Sequence, residues 1–413
     1  MILGLPLFFL FSVYGVVNAY LPVLLSSLGY SVSEIGLLLG CFEAAGLSIP
    51  IFISSRVDKR GNHGQTVILL TILMIIVLPP LVLFQNFFLS ALFLGLLAVG
   101  FKGTVPLVDA MISRNMGSDN TNYGKIRVMG SIGFVFITLL LQFSRLINPD
   151  SAASIAGAII IPALLVILSI MFIPGLLTVV PRSSEKSSSI AETQEIAVVN
   201  PILAAVLFFR SLPARYITQF EKLSPAFWFG IFLIFLGFFA LTPSQRFFSL
   251  YVRDFLGLES YAGLWALSAA AEIPFMFLSG YFIRKHGTEK LLVVSLAAIT
   301  IRNLVYAVFP TFGGAVAGQL FHSVCFGLFH PAAVVFISER VPRRYLAVGL
   351  TLYTSFSMGL ASVIGNVIGG FVIEFYGYRV LFTLFSFFPL IGIAAFFRFR
   401  NIIFKKKSIE TIN

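Results

Sequence analysis

Two cysteines, Cys41 and Cys325, are all the chain carries, and both fall inside apolar runs. Neither a disulfide framework nor a thiolate metal site can be built from them. Four histidines are scattered along the length, and His322 with His330 alone would make a poor metal site, so no metal or other cofactor is expected. Charge is scarce as well: Asp, Glu, Lys and Arg together make up 11% of the 413 residues, against 58% hydrophobic ones. With a mean hydropathy of +0.98, that balance excludes a soluble globular domain and places the chain among polytopic membrane proteins. A receptor would need a soluble output domain, and a membrane enzyme a nucleophile with its base, a metal cluster or an intramembrane Asp pair. The short loops and scattered histidines supply none of these.

What the chain has in abundance is long apolar runs, each near the roughly 20 residues that cross a bilayer. Twelve are predicted, at about 4–27, 34–55, 66–86, 88–112, 125–145, 152–177, 226–250, 260–283, 290–309, 312–337, 348–373 and 379–398. The first lacks a basic leader and is long for a cleaved signal, so it is kept as a span. Loop Lys and Arg fall 22 on one side and 3 on the other, which predicts both termini in the cytoplasm. The net charge of +11 then reports topology and anionic lipid rather than nucleic acid. Residues 178–225 form the only long loop and divide the chain into bundles 1–177 and 226–398, followed by a basic tail, 399–413. The halves echo each other: span two ends in SSRVDKRGNHG and span eight in SGYFIRKHGTEK. Internal duplication of this kind is how many transporters are built.

SSRVDKRG, with Asp58 and Gly61, resembles the loop signature of the major facilitator superfamily, with Ser54 where a leading glycine is usual. The stretch VPLVDAMISRNMGSDNTNYGKIRVMGSIGF is similar to that of lactose permease and its relatives, the phenylpropionate permease branch included. IRNLVYA, QLFHSVCFGLFHP, AYLP and GNVIGG extend the resemblance over essentially the whole chain. It implies an all-α membrane protein of twelve transmembrane helices in two pseudo-symmetric six-helix bundles, rocking about a midplane cavity. It also implies a substrate-bonding carboxylate at Asp109, its arginine partner at Arg127 and a stacking ring at Phe134. Arg302 falls at the arginine near the proton site, and His322 at the span-ten histidine. Cys325 replaces the glutamate that carries the proton in lactose permease, which excludes that position as carrier. Ser244 and Gln319 replace a charged pair together, and Glu272 lies one turn deeper than the permease's span-eight glutamate.

The residues themselves point the same way. Charges at membrane depth cost several kcal/mol, about 2.5 to 3.5 each at a helix centre on insertion scales, so those retained mark a polar pathway. Lys102, Arg127, Arg246 and Arg302 stand against Glu43, Asp109 and Glu272, a slight positive excess that accommodates an anion. Arg127, Ser131 and Phe134 recur at i, i+4, i+7 and share one helical stripe, where a guanidinium can grip a carboxylate or hydroxyls while the ring covers an apolar face. Lys102 and Asp109 share a face one heptad apart, too far to pair, and Arg127 is a candidate partner for Asp109. On an ordinary helix His322 and His330 lie about 80° apart, so one would line a cavity while the other bonds a neighbour. Other readings stay open: Arg127 as a positive-inside anchor, Glu272 as an interhelical hydrogen-bonding group, Arg246 snorkelling outward, and the span-eleven glycines as packing.

The expectation is a monomeric secondary transporter of a bacterial inner membrane working by rocker-switch alternating access. It would import a small organic solute with a co-transported proton. Substrate contacts are assigned to Asp109, Arg127, Ser131, Phe134, Glu272 and His322, and proton coupling to Glu272, Arg302, Glu43 and His330. Gating falls to Asp58, Gly61 and Arg343, with Asp58 pairing with Arg340, Arg343 or Arg344 as one reading and headgroup binding by these charges as the other. A phenylpropionate-like monocarboxylate is the favoured substrate and a sugar or nucleoside the next; efflux of lipophilic compounds is the alternative.

Overall fold

The computed structural model describes residues 2–116, 123–144, 146–179, 223–259, 261–342 and 346–403, with side chains except at 48, 51, 52, 55, 59, 123–125 and 347. Most of the expected linker, the last ten residues of the tail and Arg343 lie outside them. Every described element is a helix or a turn. Six helices come first: α1 (Leu5–Ser27), α2 (Val32–Arg60), α3 (His63–Leu83), α4 (Phe87–Met116), α5 (Tyr123–Ser144) and α6 (Ala152–Phe172). Then follow α7 (Pro225–Phe255), α8 (Tyr261–His286), α9 (Thr288–Val308) and α10 (Phe312–Arg340). The last long helical stretch breaks at Gly377, whose φ of 81° no residue with a Cβ adopts easily, and so divides into α11 (346–376) and α12 (378–403). These twelve correspond to the twelve predicted runs.

Local chemistry starts several of them. Ser151, Ser224 and Thr311 accept the N–H of Ser154, Phe227 and Gly314, and Pro225 follows directly after Ser224 at the first turn of α7. In hydrocarbon a helix satisfies its own backbone, so side chains are left to choose between lipid and neighbours. Leu69, Ile76, Phe88, Phe143, Phe277 and Phe375 point outward.

The chain groups into two compact units, Met1–Gly29 with Cys41–Ile217, and Tyr30–Gly40 with Thr218–Asn413. In the first, Leu10, Val67, Leu107, Ile112, Val166 and Ile170 form a buried cluster, and small residues let helices touch: Gly133 lies against the backbone of Phe8, and Gly15 against Phe134 O. In the second, Gly230 and Gly237 of α7 receive the rings of Phe336 and Phe329. Tyr30–Gly40 belongs to this unit because Gly36 lies against the backbone of Asn366 and Gly370, where any side chain would collide. The second unit also contains wide π-type turns at Pro243–Phe247, Tyr251–Phe255, Ser323–Leu328 and Leu352–Leu360. Such turns gather at functional sites.

Candidate functional site

In the first unit two ion pairs sit among aromatic rings. Glu43 of α2 is 3% exposed and bonds the Lys102 ammonium of α4, which is 23% exposed. The lysine stem passes Gly46, one turn after Glu43, where a methyl group would overlap its Cδ. Asp109, two turns further along α4, has its Oδ1 3.5 Å from Arg127 Nε on α5, as the sequence suggested. That Oδ1 makes no hydrogen bond, so the pair is loose. Ser131 and Phe134 are half-buried on the same helix as Arg127.

The two pairs are joined by a row of rings. The Arg127 guanidinium lies 4.3 Å from the Phe11 centroid, Phe11 stacks on Tyr14 at 5.3 Å, and Tyr14 on Phe101 at 3.8 Å. Phe101 meets Phe42 at 5.8 Å, and Lys102 Nζ lies 5.8 Å from the Phe42 ring. Phe42 and Phe101 are buried, whereas Phe11 and Tyr14 keep part of their surface open. A cation stands at each end and mutually stacked rings lie between, so the row offers charge at its ends and ring edges along its length.

The second unit is built around Arg302 of α9, which is 0% exposed. Its Nε donates to Tyr306 Oη at 3.2 Å, one terminal nitrogen to Gln319 Oε1 at 2.7 Å, and the other faces His322 Nδ1 at 3.0 Å. A guanidinium only donates, so His322 Nδ1 accepts, the imidazole is neutral, and its proton sits on Nε2. That N–H faces Glu272 Oε2 of α8 at 3.4 Å. The buried cation therefore meets its carboxylate through a histidine. Gly327 of α10 packs on Glu272, where an added methyl would stand 3.2 Å from the glutamate Cγ.

Beyond His322 the rings of His322, Phe326 and His330 stack at 5.5 Å with interplanar angles of 10° and 3°, and His330 Nδ1 bonds the hydroxyl of Tyr353. The expected 80° separation of the two histidines is thus corrected. Residues Ser323–Leu328 form a π turn, each residue of which advances less than the 100° of an α-helix, and the eight-residue interval returns His330 to the face of His322.

A second Arg–His–acid relay closes one end of the first unit. Arg114 donates to His63 Nδ1 at 3.1 Å, and His63 Nε2–H donates to Asp58 Oδ1 at 3.0 Å. Asp58 was expected to reach Arg340, Arg343 or Arg344. Its partners among the described residues are His63 and Arg114, while Arg340 bonds Glu289 and Glu339. Gly61 ends α2 with φ 74° and donates to Val57 O at 2.7 Å. The same sequence interval separates Gly61 from Gly287, His63 from Glu289 and Arg114 from Arg340. Each half thus ties the last turn of its fourth helix to the first turn of its third.

Lys102 in partnership with Glu43, and Phe11, Tyr14, Tyr306 and Tyr353 as site residues, escaped the sequence reading. The signal available was the Phe11-to-Tyr14 spacing, which puts two rings on one face of a helix beginning with few polar groups. Among the described residues no group of His, Cys, Asp and Glu has the geometry of a metal site.

The sequence profile of the MFS_1 like family matches residues 1–384. The uncharacterized transporter YwbF of Bacillus subtilis is 26% identical over 72% of this chain and 66% of its own length. The maltose permease of Geobacillus stearothermophilus is 25% identical over 72% and 68%, and the probable 3-phenylpropionic acid transporter of Escherichia coli 23% identical over 92% and 93%. The crystal structure of the nucleoside transporter NupG superposes with a TM-score of 0.74 over 96% of this chain and 98% of that one, at 17% identity, a likeness of fold.

Proposed function

Because the chain belongs to the MFS_1 like family and is a membrane transporter of the major facilitator type, we propose that it imports a small aromatic monocarboxylate, of the phenylpropionate kind, together with a proton. The observation that carries this reading is the row of rings between Arg127 and Lys102. A phenyl group finds the partly exposed edges of Phe11 and Tyr14, and its carboxylate finds a cation at either end of the row. The loose Asp109–Arg127 pair can open to admit a substrate group, because little hydrogen-bond energy holds it closed. The similarity to a probable 3-phenylpropionic acid transporter over nearly the whole length agrees with this chemistry.

Proton coupling is assigned to two carboxylates, Glu43 beside Lys102 in the first unit and Glu272 beside His322 in the second. His322 presents Nε2–H to Glu272 and cannot itself take a proton without losing the Arg302 bond, since its Nδ1–H would then face a guanidinium N–H. Protonation of Glu272 removes the carboxylate that His322 links to Arg302, and so changes the charge balance of the second unit. His330, tied to Tyr353, sits at the far end of the same ring column and is assigned to the path by which the proton leaves.

One observation favours a different solute. A carboxylate at Asp109 suits hydroxyl groups, so a sugar or nucleoside is the second reading. The test is uptake of labelled phenylpropionate, galactoside and nucleoside into energised vesicles, with and without a proton ionophore, for wild type and Asp109→Asn. Ionophore-sensitive accumulation of phenylpropionate, lost in the variant, is the expected result. Accumulation of the galactoside or nucleoside instead moves the substrate class, and accumulation of none moves the assignment to efflux of lipophilic compounds.

A further inference from the structure

The Glu43–Lys102 pair is unequal, and the inequality has a use. The carboxylate is 3% exposed and the ammonium 23%, so whatever approaches the pair meets the lysine first. Gly46 leaves a channel in the face of α2 for the lysine stem, and the Phe42 ring lies beside Nζ. Lys102 is therefore held by packing along its stem as well as by Glu43, and keeps its place when the carboxylate lets go. Tyr14, the next ring with open surface, is fixed by donation of its hydroxyl to Phe101 O at 2.9 Å.

We propose that Lys102 is the anchor for the carboxylate of the substrate, and that Glu43 is the internal counter-ion which the substrate displaces. This rests on the monocarboxylate reading above and deepens it. In the empty site Glu43 neutralises Lys102. When a carboxylate takes its place on the ammonium, Glu43 is left as a second anion at a position 3% exposed. A carboxylate so placed sheds its charge by taking up a proton. One anion and one proton enter together, no covalent bond changes, and the charge of the site is the same before and after. Among the described residues, the ring array also carries the Tyr14 phenol, which is already a donor, and the Asp109–Arg127 pair at its far end. Sugars and nucleosides carry no group that could displace Glu43, so the exchange selects acids.

The test uses the purified full chain in detergent, with phenylpropionate and its neutral analogue 3-phenylpropanol as probes. Binding is followed by calorimetry, and proton uptake in weakly buffered solution by a pH electrode. Wild type is expected to take up a proton on binding phenylpropionate and none on binding the alcohol. Lys102→Met is expected to weaken phenylpropionate by about 30-fold or more and leave the alcohol unchanged. Glu43→Gln is expected to bind phenylpropionate while releasing the solution from about one proton of uptake per molecule. If Lys102→Met does not fold, K102M/E43Q, which buries neither charge, supplies the same comparison. Phenylpropionate binding within twofold of wild type in the lysine variants, or full proton uptake by Glu43→Gln, overturns the exchange while leaving the monocarboxylate reading standing. A wild type that binds a nucleoside or galactoside and no carboxylate overturns both.

Discussion

Replacing Arg302 with methionine measures how much the second unit depends on its central cation. The guanidinium is 0% exposed and spends three donors on Tyr306, His322 and Gln319 at 3.2, 3.0 and 2.7 Å. Methionine fills much of the volume and leaves three acceptors without a donor, each costing about 1 to 3 kcal/mol when buried. Against that, a buried charge no longer has to be kept from water, which is itself worth several kcal/mol. Measured losses on breaking one side of a buried charged network centre on about 3 to 5 kcal/mol. For a unit of this size that corresponds to a melting point roughly 10 °C lower. The assay is convenient because both tryptophans, Trp228 and Trp265, belong to the second unit, and Trp265 donates to Ser249 Oγ at 3.0 Å in its interior. Tryptophan emission on heating therefore follows the unit that holds Arg302. Arg302→Lys is expected to recover less than half of the loss, since an ammonium cannot span three acceptors laid out for a planar fork. Pairing Arg302→Met with Gln319→Leu is expected to recover part of it, because one orphaned acceptor disappears. A methionine variant melting within about 2 °C of wild type, or a double variant no better than the single, would refute the account of Arg302 as a satisfied hub.

Three further outcomes follow from particular contacts. Gly46→Ala places a methyl where the Lys102 stem runs and is expected to lower uptake at least about tenfold by displacing the ammonium, with expression and melting little changed; uptake equal to wild type would show that the stem has another path. Gly377→Ala meets no neighbouring atom, so its cost is that of φ 81° alone, about 1 kcal/mol, and Gly377→Asn should cost less; equal melting of the two variants would show that the bend, not the torsion, is at stake. Arg340→Ala removes the partner of Glu289 and Glu339 and the cation 4.0 Å from the Phe336 ring, and should lower the second unit's melting point by a few degrees, an effect that shrinks in high salt.

The helices were legible because hydrocarbon imposes one rule on every span, and a run of apolar residues states it openly. Asp109 and Arg127 were legible as a pair because the resemblance supplied their positions and the opposite charges supplied the reason. Glu43 and Lys102 were each visible as misplaced charges, but nothing in a linear chain says that α2 and α4 face each other at that depth. Lys102 therefore has no site role in the sequence and gains one from the packing that places an acid beside it. The histidine partner of Asp58 was missed for a related reason, while Arg343 and Arg344 lie outside the described residues. A surplus of arginines across the chain looked like the partner of Asp58, while a histidine five residues away, already in the same turn region, was the nearer one. The ring column of α10 was illegible from periodicity, because periodicity presumes the 3.6-residue turn that residues 323–328 abandon.

That departure separates two mechanical properties that an ordinary helix would deliver together. Eight residues through a π turn cover about the same angle as seven through an α-helix, so a chain lacking one residue between His322 and His330 would still stack their rings. Alignment is therefore not what the additional residue supplies. What it supplies is compliance: a backbone with its regular hydrogen bonds interrupted bends where a regular helix would stay stiff. A deletion of Val324 would keep the geometry of the column and stiffen the rod that carries it. Binding preserved with turnover slowed would show that natural selection has kept a spare residue in this helix for its softness.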